Sequence, residues 1–225
     1  MTTDGGKEGT FKKTNNDNGV FLLLHKLSFY NKWNVKLFCL IKNFISFHFF
    51  FPGGWLLVSN VVVGNLSSLL FSEESSYHEI SNYHKKSLLI TADAMKELRT
   101  QLSFTQLRFH CSKKKGRTFH LTTAAISSGE AVVQYFSGQT DASPKACGSF
   151  VRMKDDNSKL AADCNQWSGK TWGSGSGNKF RVVAFVNGKY HWLLEGSSRW
   201  ECDDYKYGAE YFGLSTGDFW RVFVR

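Results

Sequence analysis

The chain has 225 residues, 16% of them aromatic, with twenty Gly and two Pro. That mixture excludes a disordered chain and suits a β-rich globular domain with many turns. The formal net charge is +9, but residues 7–51 hold seven Lys against one Asp and one Glu, leaving 21 basic and 17 acidic residues elsewhere. The remainder is only mildly basic, so a nucleic-acid partner is not expected.

Residues 7–51 are unlike the rest. They lack Ala, Arg, Gln and Pro, and Phe, Lys, Asn, Ile and Tyr fill 25 of the 45 positions. These are residues of A/T-rich codons, and the apolar positions hold neither a period of 2 nor one of 3.6. The segment opens after Gly6 with Lys7-Glu8, as a splice donor would be translated. It closes with Phe49-Phe50-Phe51-Pro52, as a pyrimidine tract and acceptor would be. We read residues 7–52 as a retained-intron translation or a loosely ordered excursion. A genuine insertion or membrane-binding arm is the alternative. Lys26, Lys32, Lys36 and Lys42 interrupt its apolar run, so no transmembrane helix is expected there.

Beyond it, Gly53-Gly54-Trp55 leads into a buried strand through Val63. Residues 64–87 are polar and expected to be mostly loop; they include the glycosylation triplet Asn65-Leu66-Ser67. Thr91 to Leu102 reads as a helix, with Thr91 as cap, Asp93 in the first turn, and Met95, Leu98 and Leu102 on one face. Leu107, Phe109 and Cys111 alternate with polar residues. They should pair with Arg117–Thr123 across the basic turn Lys113-Lys114-Lys115-Gly116. Ala131–Phe136, Phe180–Val186, Tyr190–Leu194 and Phe219–Val224 read as strands, and Asn187-Gly188 as a type I′ hairpin turn. Many strands and one clear helix predict an α+β domain rich in antiparallel sheet, with few helices and long loops.

Cys39 lies in the odd segment. Cys111, Cys147, Cys164 and Cys202 are separated by 36, 17 and 38 residues, with no C-x-x-C pair. This spacing disfavours a zinc ribbon and predicts two disulfides in an oxidising compartment. Three pairings are open; the nested one, Cys147–Cys164 inside Cys111–Cys202, is preferred. Gly173-Ser174-Gly175-Ser176-Gly177 has glycine where a nucleophile elbow needs serine. His110, His120 and His191 lie at no zinc-ligand spacing and read as core or surface histidines, and no enzyme is expected. Asp155-Asp156-Asn157 is the candidate calcium loop, with Glu201, Asp203 and Asp204 a second oxygen-rich group. Trp167, Trp172, Trp200 and Tyr205 are candidate sugar-stacking residues, Trp167 and Trp172 being expected to be the most exposed. Lys113, Lys114, Lys115 and Arg117 could meet an anionic glycan.

Met1-Thr2-Thr3-Asp4-Gly5-Gly6 joined to Gly53-Gly54-Trp55 resembles the opening of fibrinogen C-terminal-like domains. Phe104–Cys111, Tyr135–Thr140, Cys147–Arg152, Trp200–Asp204 and Ser215–Trp220 are similar to a cnidarian branch of that family, which includes coral skeletal organic matrix proteins. The likeness covers residues 1–6 and 53–225. It implies a secreted, disulfide-bonded, non-catalytic module that binds extracellular glycans or acidic groups, with calcium as a candidate cofactor, or else a structural matrix protein. Two departures limit it. The Cys that precedes the opening Met is missing, and the aromatic-Cys-His ligand motif of vertebrate members has no counterpart. An acetyl-group pocket is therefore not carried over.

Overall fold

The computed structural model describes residues 50–51, 53–67, 69–82, 84–173 and 177–225, all within the unit Phe44–Arg225. The opening motif at residues 1–6, Cys39 and most of segment 7–52 lie outside these residues. Phe50–Phe51, the last apolar pair of that segment, form strand β1, antiparallel to Trp55 and Leu56.

The architecture is α+β, with two largely antiparallel sheets. The large sheet contains β2 (Trp55–Val62), β3 (Ser72–Glu74), β4 (Ser87–Ile90), β5 (Leu107–Ser112), β6 (Thr118–Thr123), β7 (Phe150–Arg152) and β11 (Phe219–Val224) in the order β3-β4-β2-β11-β5-β6-β7, with β1 on β2. Strands β3 and β4 are parallel. The C-terminal β11 lies in the middle, with Trp220 opposite both Val61 and Cys111. The small sheet orders β10 (Arg199–Asp204), β9 (Tyr190–Glu195) and β8 (Val182–Val186).

The expected alternation in β5 is present. Leu107, Phe109 and Cys111 are buried, and Arg108, His110 and Ser112 stand half-buried on the opposite face. The β5–β6 hairpin also forms as read. Helix α1 (Ala92–Leu102) starts at Thr91, whose Oγ1 accepts the Ala94 N–H at 3.3 Å, and buries Met95 and Leu98.

Three sequence expectations need correction. Ala131–Phe136 is not a strand but the end of helix α2 (Ser127–Phe136). Of its buried residues, Gly129, Val132, Val133 and Phe136 follow i, i+3, i+4, i+7, a helical stripe that begins before the apolar run does, and Tyr135 is buried beside it. Gly129 is needed because an added Cβ would lie 1.9 Å from the Ala124 carbonyl oxygen. At Asn187-Gly188 the hairpin forms, but as a three-residue connection: Lys189 N–H donates to Val186 O at 3.0 Å, and of Asn187 and Gly188 only the glycine has positive φ, 71°. A type I′ turn requires positive φ at both. Within 64–87, the stretch read as mostly loop holds β3, the start of β4, and a 3-10 segment at Tyr77–Asn82 that buries Ile80.

The core lies between the inner face of the large sheet, α1, α2 and the small sheet. Its centre is aromatic. Phe109 packs within 4.9–6.1 Å of Phe136, Trp172 and Trp192, and Trp167 meets Trp172 edge-on at 5.0 Å. The disulfide Cys111–Cys202 ties β5 to β10, with Cα atoms 5.9 Å apart, and Cys147–Cys164 closes a shorter loop at 5.4 Å. The nested pairing is the one formed.

Candidate functional site

Two places gather chemistry-bearing side chains. The first is the outer face of the large sheet. His110 on β5 and His120 on β6 are directly opposite in register, and their rings stack at 3.7 Å with 6° between planes. His120 Nδ1 lies 2.5 Å from Asp155 Oδ1, and Arg108 Nε donates to His120 Nε2 at 2.6 Å. Those partners fix the tautomer: Nδ1 carries the proton and Nε2 accepts. His110 Nε2 lies 3.8 Å from Asp155 Oδ2. Burial, then His120, push the His110 imidazole down to about 3, with Asp155 opposing and Arg108 and Arg221 adding to the depression. His120 is lowered by burial and Arg108, against the pull of Asp155. Burial raises Asp155, but the hydrogen bond and charge of His120, a backbone hydrogen bond and the charge of His110 together overcome it and hold the carboxyl below its ordinary value.

Donor atoms of His110, His120 and Asp155 lie within 4.8 Å of one another, the spacing of a metal site. The orientation differs from that of one. Both nitrogens of His120 are occupied, the parallel rings send their in-plane lone pairs side by side, and Arg108 stands where a cation would meet repulsion. As folded, the two imidazoles stack, with His120 hydrogen-bonded between Asp155 and Arg108. The neighbouring candidate calcium oxygens are occupied as well. Asp156 Oδ1 accepts from His120 N–H and from Ser158 Oγ, both at 2.8 Å, and its Oδ2 accepts from Arg152 at 2.5 Å. Asn157 Oδ1 accepts the Thr118 N–H at 2.7 Å. Asp155, Asp156 and Asn157 thus point at protein donors, and the cage of six to eight oxygens that calcium requires is not preformed there.

The second place is the end of the small sheet, where acids support an aromatic loop. Glu201, Asp203 and Asp204 are fully buried, each facing a cation. Glu201 accepts from His191 and from Arg199 at 2.6 Å each, and Asp204 from Lys113 at 2.6 Å. Asp203 pairs with Arg117 and accepts the Leu160 N–H at 2.5 Å. The register of β10 slips at Asp203, whose left-handed φ of 57° points the carboxylate at Arg117. Burial lifts Asp203 and Asp204 above the ordinary carboxylate range, with Arg117 and Lys113 opposing. These acids are therefore cross-links of the fold and not calcium ligands, and Lys113 and Arg117 are withdrawn from the basic turn. Lys114 and Lys115 are the pair left exposed at its tip.

Beyond β10 the chain runs through Tyr205, Lys206 and Tyr207. Tyr205 is half-buried against His191, 4.8 Å edge-on, and Tyr207 is 75% exposed. The Arg199 guanidinium lies over both rings, at 5.1 and 6.0 Å, and the Lys206 ammonium lies 5.6 Å from the Tyr207 ring. Arg199 also lines an open groove of about 610 Å³ on the small sheet, with Val182, Leu193 and Leu194 as apolar lining and Glu73, Arg181 and Glu195 as charged lining. Arg181 pairs with Glu73.

The tryptophan candidates are placed differently from expectation. Trp167, Trp172 and Trp200 are 2%, 0% and 2% exposed. Their indole N–H groups donate to Leu160 O, Ser149 Oγ and Gly196 O, so the polar handle that suggested a surface role is satisfied inside. Of the four, Tyr205 alone reaches the surface. Tyr207, Arg181 and Arg199 were not singled out in the sequence. The available signal was Tyr205-Lys206-Tyr207-Gly208 directly after an acidic strand. No family model, curated protein or solved structure matches the chain.

Proposed function

We propose that this chain is a secreted, non-catalytic recognition module of the fibrinogen C-terminal-like kind, binding extracellular glycans or their acidic groups through the Tyr205–Tyr207 loop and the adjoining groove. One observation carries this reading: the Tyr207 ring is exposed, and the Arg199 guanidinium, hydrogen-bonded to buried Glu201, lies 6.0 Å from its centroid. An exposed aromatic face beside an apolar-lined groove with charged walls is what a sugar needs, with CH groups on one side and hydroxyls on the other. The two disulfides suit an oxidising compartment. Among the described residues, no helix is long and apolar enough to cross a membrane.

The test is binding to an array of neutral, sialylated and sulfated glycans. We expect binding competed by free sugar, weakened roughly 2- to 10-fold by Tyr207→Ala, as loss of one aromatic contact worth about 0.5–1.5 kcal/mol implies. Loss of binding in EDTA would support a calcium contribution from the loop at Asp155, while insensitivity to EDTA would remove calcium from the proposal. Absence of glycan binding in every condition, with retained binding to matrix protein, would replace this reading with that of a structural matrix component.

A further inference from the structure

The glycosylation triplet Asn65-Leu66-Ser67 plays no part in the groove or in the histidine stack. It is the sole Asn-x-Ser/Thr triplet among thirteen asparagines, and its setting is well defined. Strand β2 ends at Val62, and the next residue is fastened on both sides: Val63 N–H donates to Asp218 O at 2.8 Å, and Val63 O accepts the Gly217 N–H at 2.7 Å. The chain then leaves the sheet, and Gly64, Asn65, Leu66 and Ser67 are all exposed. The Ser67 N–H and Oγ–H both donate to Asn65 Oδ1, at 3.0 and 2.9 Å. The carbonyl oxygen of the Asn65 amide is thereby engaged from within the triplet, and its NH₂ has no hydrogen-bond partner among the described residues. The neighbouring Leu66 and Leu70 are 54% and 69% exposed.

We propose that Asn65 is an N-glycosylation acceptor, an inference that rests on the secreted reading above. The chemistry needs an exposed asparagine amide, a hydroxyl two residues on, and no proline between them. All three conditions are met at the end of a firmly anchored strand. In the transfer, the bond from C1 of the first sugar to the phosphate of a lipid-diphosphate-linked oligosaccharide breaks. The bond from C1 to Asn65 Nδ2 forms, the amide loses one proton, and the lipid diphosphate departs; nothing is oxidised or reduced. The attached sugars would cover Leu66 and Leu70, apolar groups that otherwise face water.

The experiment expresses the full chain behind a heterologous signal peptide in a eukaryotic secretory host. Intact mass is measured before and after peptide-N-glycosidase treatment, in both lysate and medium. Because the oligosaccharide is added to the chain as it emerges, the lysate reports occupancy even for variants that fold poorly. The expected result is a mass loss of one N-glycan, with conversion of Asn65 to aspartate in the treated peptide. The loss should vanish in Asn65→Gln and in Ser67→Ala and persist in Ser67→Thr. A disulfide-bonded protein with no mass loss would overturn the proposal and leave the recognition reading standing. Free thiols at all of Cys111, Cys147, Cys164 and Cys202 in that compartment would overturn the secreted reading, and the proposal with it.

Discussion

His110 illustrates how a single side chain can set a pH dependence. Its folded-state value of about 3 lies below the ordinary imidazole value of 6.5, and His120 is shifted the same way. Protons therefore bind the unfolded chain in preference to the folded one. The stability is intact above the ordinary value and declines as pH falls through it towards about 3, by at most about 1.4 kcal/mol per pH unit for each histidine. Urea midpoints should fall between about pH 7 and about pH 5, a window above the range where most carboxylates titrate. In His110→Phe, which keeps an aromatic ring against His120, that decline should be shallower. An unchanged slope in the variant would show that the stack is not the source. The same scale explains why the site was only partly legible. Trp167 and Trp172 sit among polar neighbours in the sequence, and nothing there reveals that Leu160 O and Ser149 Oγ wait in the core to accept their N–H groups.

Among the elements, those with local signals were readable and those defined by distant partners were not. β5 and β6 could be read because alternation and a basic turn are properties of consecutive residues. Strand β10 could not, because Arg199-Trp200-Glu201-Cys202-Asp203-Asp204 looks solvated until Lys113, Arg117 and His191 arrive from elsewhere in the chain to pair with its acids. Helix α2 lay between these cases: its stripe was present, but its first member is a glycine, which hydropathy does not flag. That glycine gives a prediction with an unusual sign. Within a helix Gly→Ala ordinarily stabilises by about 1 kcal/mol. Gly129→Ala, however, places a Cβ 1.9 Å from the Ala124 carbonyl oxygen. Backbone must then move, and overpacking of this kind costs about 1–3 kcal/mol or more. We expect a lower melting temperature for Gly129→Ala; an increase would show that the loop at Ala124 yields freely.

At the scale of the whole molecule, the fold class was legible from composition and turn signals, whereas the strand order was not, since nothing local says that β11 inserts between β2 and β5. The two disulfides act over different lengths. Cys111–Cys202 spans 91 residues with both cysteines buried, and Cys147–Cys164 spans 17 with Cys147 exposed. On the chain-entropy account the longer closure stabilises by about 4–5 kcal/mol and the shorter by about 3 kcal/mol. Cys111→Ala/Cys202→Ala should therefore lower the denaturation midpoint more than Cys147→Ala/Cys164→Ala. Mild reductant should open Cys147–Cys164 first, as read by differential thiol labelling and mass spectrometry. Labelling of Cys111 and Cys202 ahead of the other pair would contradict the burial on which this ordering rests.

The central place of β11 also governs the order in which the chain can mature. On one side of it stand β2, β4 and β3, with β1 on β2, and on the other β5, β6 and β7; among the described residues these two groups are joined in the sheet only through residues 219–224. A nascent chain leaving the ribosome therefore carries two half-sheets with unpaired inner edges until β11 emerges. Such edges are a hazard for association with other chains. Biogenesis of this molecule should accordingly depend on chaperone shielding until residues 219–224 are available, and a ribosome stalled before Phe219 should hold a chain that is protease-sensitive throughout the sheet.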